Sequence, residues 1–248
     1  MEQTRSEILN NDFAGLTLSE IVNRNFKAAA VFEKYNLDFC CGGKKPVAEA
    51  CREKGLSSSQ VFEELQTIEN KGSRNDNYAD WEIDFLIDYV VNNHHAYINR
   101  MIPILSAHTQ KIAAVHGKNH PELLKVAESF EKIYKELRQH MMKEEQMLFP
   151  FVKLLAITKR SGKKTEAPFF GTVKNPIRMM EAEHQAAGDE MYEIRSLTNG
   201  YSIPEDGCST YSVTMQELKD FEEDLHKHIY LENYILFPKA VELEQELL

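Results

Sequence analysis

The chain has 248 residues, 42% of them hydrophobic, and a formal net charge of -10 at pH 7. That length holds two small domains, or one domain with an appendage. The acidic balance argues against a nucleic-acid partner, because phosphate binding needs a basic face, and no apolar run approaches membrane-spanning length.

The polar start, MEQTRSEILNNDF, lacks the apolar stretch of a signal peptide. The four cysteines, Cys40, Cys41, Cys51 and Cys208, are too few for a disulfide framework in a chain of this size. Adjacent Cys40 and Cys41 are also strained partners for each other. These features lead us to expect a soluble cytoplasmic protein with reduced thiols.

In chain order, residues 1–70 read as a small helical unit. LSEIV, FKAAAVFEKY and SQVFEEL are short apolar clusters at helical spacing, and DFCCGGKKP lies between them as a turn. Residues 71–78 lie in a polar, aperiodic stretch and read as a linker. From residue 79 to 248 the periodicity is helical and the segments are long. The first runs from about Ala79 to Val115, with a kink expected at Pro103. The second starts at Pro121 and passes His140 to about Ala156. The third opens at Asn175-Pro176, read as a cap followed by a proline at the first helical position, and stops near Gly200. The fourth covers about Ser209 to Leu243. No segment alternates like a strand, so the fold class is all-α, with a four-helix bundle after a small helical domain.

One short phrase occurs twice. His140–Pro150 reads HMMKEEQMLFP and His228–Pro238 reads HIYLENYILFP. A His and a Glu four apart share one helix face, so His140 pairs with Glu144 and His228 with Glu232. Phe130, Ile133 and Leu137 lie on the first face, and Leu218, Phe221 and Leu225 on the second. Both pairs therefore fall in an apolar stripe that a bundle turns to its core. Burying carboxylates is costly unless something pairs with them. A cation removes that cost, and imidazole with carboxylate suits iron, manganese or zinc.

The other helices extend the set. His95 and His184 also lie on apolar faces. His95 precedes His140 by 45 residues, and His184 precedes His228 by 44. The helix pair is thus duplicated, giving four His and two Glu: two His for each of two metals, with Glu144 and Glu232 bridging. His94 also has an apolar face, and the duplicated spacing favours His95. Glu136 and Asp224, one turn before His140 and His228, are either acceptors for the imidazole N–H groups or ordinary ion-pair partners. His108, His116, His120 and His226 fit no ligand pattern. Small Ala187 and Gly188, a turn past His184, either leave room for a ligand or let helices pack closely. The shared Leu-Phe-Pro reads as core packing and a helix kink or end.

HMMKEEQMLFP, the segment MEAEH that ends at His184, and HIYLENYILFP resemble the hemerythrin-like domain of the RIC (repair of iron centres) proteins, YtfE/ScdA type. NLDFCCGGKKPVAEAC, Asn36–Cys51, resembles their N-terminal domain, whose hallmark is an adjacent cysteine pair before two glycines. The resemblance covers nearly the whole chain and implies a hemerythrin-like up-down bundle. It also implies two iron ions with one oxo and two carboxylate bridges, on His95, His140, Glu144, His184, His228 and Glu232. The implied role is repair of iron–sulfur clusters after nitrosative or oxidative damage, by iron donation, by handling of nitric oxide, or both. Nitric-oxide-reducing activity is compatible with it. The partners would be damaged iron–sulfur proteins and a small gas, NO or O2, and a homodimer through the N-terminal domain is left open.

Cys40 and Cys41 are either two small buried residues or a thiol pair at a turn. At a helix N-terminus their thiolates would be favoured, and they could take up iron, react with NO or accept electrons. Cys51 and Cys208 read as structural. The competing function is a hemerythrin-like O2/NO-binding carrier or sensor, which leaves the cysteine domain without a task.

Overall fold

The computed structural model describes residues 13, 15–69 and 77–248. Most of the expected linker lies outside them. Among the described residues there is no strand. An isolated bridge joins Thr17 and Pro46. The chain folds as two compact units, Met1–Trp81 with Tyr230–Ile235, and Glu82–Ile229 with Leu236–Leu248.

The first unit contains α1 (Leu18–Arg24), α2 (Ala28–Lys34), α3 (Val47–Glu53) and α4 (Ser58–Glu69). Thr17 caps α1 reciprocally: its hydroxyl accepts the Glu20 N–H at 3.2 Å, and the Glu20 carboxylate accepts the Thr17 N–H at 2.8 Å. Leu18, Phe32, Val47, Cys51 and Val61 are buried. The cysteine turn lies between α2 and α3 and is held by Asp38. Its carboxylate accepts the backbone N–H groups of Cys40, Cys41 and Gly42 at 3.1, 2.8 and 2.9 Å. Asn233 donates from Nδ2 to the Cys40 carbonyl at 3.0 Å, and the Tyr234 hydroxyl donates to that of Cys41 at 3.2 Å. A Cβ on Gly43 would collide with the Phe39 carbonyl and stand 2.8 Å from the Tyr234 ring, so only glycine fits there.

The second unit is built on four long helices, of which the last also supplies Tyr230–Ile235 to the first unit. α5 comprises Ile83–Tyr89, a π turn at Val90–His95, and Ala96–His116. α6 comprises Glu122–Lys143, a π turn at Glu144–Leu148, and Phe149–Arg160. α7 is Lys174–Leu197. α8 comprises Ser209–Leu231, a π turn at Glu232–Leu236, and Phe237–Leu247. Their apolar stripes form the core. Phe130, Ile133, Leu218, Phe221 and Leu225 are fully buried, and Phe130 meets Phe221 edge-to-face at 5.5 Å. α5 continues through Pro103, and its departure from α geometry falls upstream, at Val90–His95. No helix among the described residues is long and apolar enough to cross a membrane.

One helix start differs from expectation. α7 begins at Lys174 with Val173 in the cap position, so Pro176 stands third in the helix, two residues further in than the expected first position. The cause is distant in sequence. Buried Glu244 of α8 accepts the Val173 N–H at 2.8 Å and a hydrogen bond from the Thr172 hydroxyl. A carboxylate from another helix thus does what a local Asn was expected to do. Glu244→Ala strands a buried N–H and should cost about 1–3 kcal/mol. Calorimetry should show melting lowered by roughly 2–4 °C for each kcal/mol. An unchanged melt would mean that water replaces the carboxylate.

Candidate metal centre

The sequence placed six donors on four helices, and the structure brings all six together. His95, His140, Glu144, His184, His228 and Glu232 are each 1% exposed or less. They form two groups of four. His95, Glu144, His228 and Glu232 offer atoms within 4.8 Å of one another, and so do His140, Glu144, His184 and Glu232. Both carboxylates belong to both groups.

The rings converge through their Nε2 atoms. His95 Nε2 lies 3.2 Å from His228 Nε2, and His184 Nε2 lies 2.9 Å from His140 Nε2. Glu144 stands 3.4 Å from His95 Nε2 and 3.3 Å from His140 Nε2. Two donors bound at about 2.1 Å to one ion and at right angles are about 3 Å apart, so these spacings fit nitrogens and oxygens around a cation. The carboxylates of Glu144 and Glu232 are fully buried, and imidazoles stand around them. Carboxylates in such surroundings call for positive charge.

The tautomers agree with this. His95 donates from Nδ1 to Glu145 at 2.8 Å, and His140 donates from Nδ1 to Glu183 at 2.9 Å. With the proton on Nδ1, each Nε2 presents a lone pair to the cluster. The His140 hydrogen bond and nearby Lys143 hold the Glu183 carboxyl down to about 2, so it is an anion that keeps the ring in this tautomer.

The three π turns of the bundle all coincide with this cluster: Val90–His95 ends on His95, and the other two open on Glu144 and Glu232. A π turn takes in one extra residue and rotates the helix beyond it. Leu148 and Phe149 are buried at the end of the Glu144–Leu148 turn, as are Leu236 and Phe237 in the second copy. Phe149 stacks on His95 (5.9 Å, 20°), and Phe237 stacks on His184 (5.9 Å, 2°). The Leu-Phe-Pro repeat is therefore more than core packing. Pro150 and Pro238 lie in the first turn of a continuing helix rather than at an end, and each Phe braces the histidine supplied by the first helix of its own pair.

Comparison with known proteins agrees with this geometry. Residues 86–240 match the hemerythrin HHE cation binding domain. Residues 15–69 match the ScdA N-terminal domain, described as a domain of unknown function. A probable iron–sulfur cluster repair protein of Haemophilus influenzae is 34% identical over 92% of this chain and 98% of its own. The iron–sulfur cluster repair protein YtfE of Yersinia pestis is 29% identical over 93% and 98%, and that of Dickeya chrysanthemi 31% over 91% and 96%. The chain belongs to the YtfE family of iron–sulfur cluster repair proteins.

The groups that orient the rings differ from those expected. Glu136 is exposed and takes no part. Asp224 accepts from Nδ1 of His94 at 3.0 Å, rather than from His228. The orienting carboxylates are Glu145 and Glu183, next in sequence to Glu144 and His184 but reaching across to another helix. Adjacent acids (Glu144-Glu145) and an acid before a core histidine (Glu183-His184) were the available signals. His94 is buried like His95 but lies outside both donor groups, its ring stacked on His228 at 5.8 Å. His108 pairs with Glu217, and His120 with Asp206. His226 is buried and stands 3.9 Å from Glu222.

The thiol pair is not at a helix N-terminus, since α3 begins six residues after Cys41. Cys40 and Cys41 bring their sulfurs within 3.7 Å, and with Asp38 they form a third group able to hold a cation. The hydrogen bond with Cys41, burial and the Asp38 charge push the Cys40 thiol well up, opposite to the activation expected of a helix dipole.

Glu145→Gln and Glu183→Gln should each weaken ferrous-ion binding about 10–100-fold while leaving the fold intact, and Glu136→Gln should leave binding unchanged. A chelator-competition titration checks this. Equal affinities in all three variants would remove the orienting role.

Proposed function

We propose that this protein holds two iron ions, shared between Glu144 and Glu232, and uses them to repair iron–sulfur clusters damaged by nitrosative or oxidative stress. The observation that carries this reading is that the two buried donor groups have both carboxylates in common. His95 and His228 would serve one ion, and His140 and His184 the other. The names of the relatives supply the target class, damaged iron–sulfur proteins.

When bound, the iron pair supplies ferrous–ferric redox chemistry and affinity for NO or O2. The protein's own residues do the rest. Glu145 and Glu183 keep the Nε2 lone pairs of His95 and His140 turned inward. Phe149 and Phe237 fix ring planes and keep water from two sides. Neutral imidazoles beside two carboxylates make the donor set anionic enough to retain iron, yet without thiolates that would bind it still more tightly. Such a site suits an ion that must later leave. Cys40, Cys41 and Asp38 form a separate mixed donor group, two soft sulfurs beside a hard carboxylate, the candidate acceptor for iron or NO in transit. The domain arrangement that goes with this reading is 1–70, a linker at 71–78, and a bundle at 79–248, in a cytoplasmic protein. An O2/NO carrier or sensor is the weaker alternative, because it gives the thiol turn nothing to do.

Metal analysis of the purified protein should find about two irons per chain with oxo-bridge absorption, and His95→Ala or His184→Ala should lower that stoichiometry. Zinc alone, or iron indifferent to both substitutions, would sink the reading. Replacing Cys40 and Cys41 together by Ser should spare iron content and impair recovery of a damaged iron–sulfur enzyme. Full recovery would make the pair structural.

A further inference from the structure

A second set of reactive side chains lies far from the donor cluster. Cys208 was expected to be structural, but it is exposed. It stands in the cap position of α8: its carbonyl accepts the Ser212 N–H at 3.0 Å, and the backbone N–H groups of Thr210 and Tyr211 donate to its sulfur. From the last turn of α5, His116 brings Nε2 to 3.2 Å from the same sulfur. The His116 ring is held edge-on against Tyr211 at 5.4 Å. On its other side Tyr211 meets His120 at 5.9 Å, itself tied to Asp206 at 2.8 Å and Glu122 at 3.2 Å. The imidazole beside Cys208 is therefore positioned by packing.

We propose that Cys208 and His116 form a nucleophilic thiolate–imidazole pair that exchanges with low-molecular-weight disulfides, making Cys208 a site of reversible mixed-disulfide formation. The Cys208 thiolate attacks one sulfur of the small disulfide. The old S–S bond breaks, a new one forms to Cys208, and the second sulfur leaves as a thiolate. Cys208 is oxidised, the departing half is reduced, and His116 holds the proton that Cys208 gave up.

The His116 hydrogen bond and the two backbone N–H groups bring the thiol down to about 7, and an attacking thiol is at its best when its pKa lies near the ambient pH. Two of the other three thiols differ: Cys51 is buried and pushed up by burial, and Cys40 is buried and pushed up as well. His116 is 21 residues along α5 from His95, about 30 Å at 1.5 Å per residue, so the pair can be tested without reference to iron.

The test is a pH series of brief iodoacetamide pulses on the full chain, read cysteine by cysteine by mass spectrometry. Cys208 should label with a midpoint near pH 7. A midpoint in the ordinary thiol range of about 8.5 would overturn the proposal without any mutant. His116→Ala and His116→Gln should move the midpoint toward that range. At about pH 7 the thiolate fraction would fall from about one half to about 3%. Greater intrinsic nucleophilicity would offset part of the loss, leaving labelling roughly three- to fourfold slower. An unshifted midpoint in both variants would overturn the pairing. Incubation with glutathione disulfide, and in parallel with the neutral hydroxyethyl disulfide, should give a mixed disulfide on the Cys208 peptide that dithiothreitol removes. Failure of both reagents at Cys208 would overturn the exchange reaction.

Discussion

Two glutamates in the core of the bundle govern much of the rest. Glu144 and Glu232 are fully buried at the centre of a helix bundle, where a carboxylate is costly unless compensated. The groups gathered around them are four imidazoles, and two of these, His95 and His140, have their Nδ1 protons engaged by Glu145 and Glu183 and so present Nε2 lone pairs. The six groups are of the kind that could hold a metal ion. The three π turns, the stacked phenylalanines and the outer carboxylates all serve to aim donors at the same small volume.

The duplication is close to symmetric in its inner donors and breaks outside them. His95, His140 and Glu144 correspond to His184, His228 and Glu232, and Phe149 corresponds to Phe237. By the same register, Glu145 corresponds to Asn233 and Glu183 to His94. In the first half of the chain's repeat the outer partners are carboxylates on His95 and His140. In the other, His94 turns to Asp224, and Asn233 turns to the Cys40 carbonyl. A carboxylate backs an imidazole in each group of four donors, His95 in one and His140 in the other. In the position that matches Glu145, Asn233 holds the thiol turn instead.

That turn combines close approach with restraint. Asp38 gathers three consecutive backbone N–H groups, and Gly43 removes the side chain that would strike Tyr234. The result is two sulfurs side by side beside a carboxylate, with Cys40 held as a neutral thiol. A neutral, shielded thiol differs in kind from the exposed Cys208 beside His116. Burial and the nearest charge separate the two, although nothing local in the sequence marks either as the more reactive.

The amino-acid sequence encodes the all-α class, the four apolar stripes and the placement of the six candidate donors, because helical period, face and spacing are local and repeat along the chain. It also favoured His95 over His94 through the duplicated interval. Pairings across helices depend on how the helices pack. Glu145 and Glu183 reach rings 50 and 43 residues away, Glu244 caps a helix 71 residues upstream, and His116 meets a cysteine 92 residues on. No local pattern encodes such pairs. The π turns belong to the same class: one extra residue within a helix leaves the pattern of residue types nearly unchanged, yet it rotates Phe149 and Phe237 onto the histidines. Packing against neighbouring helices selects that rotation, so it became visible only in the folded molecule.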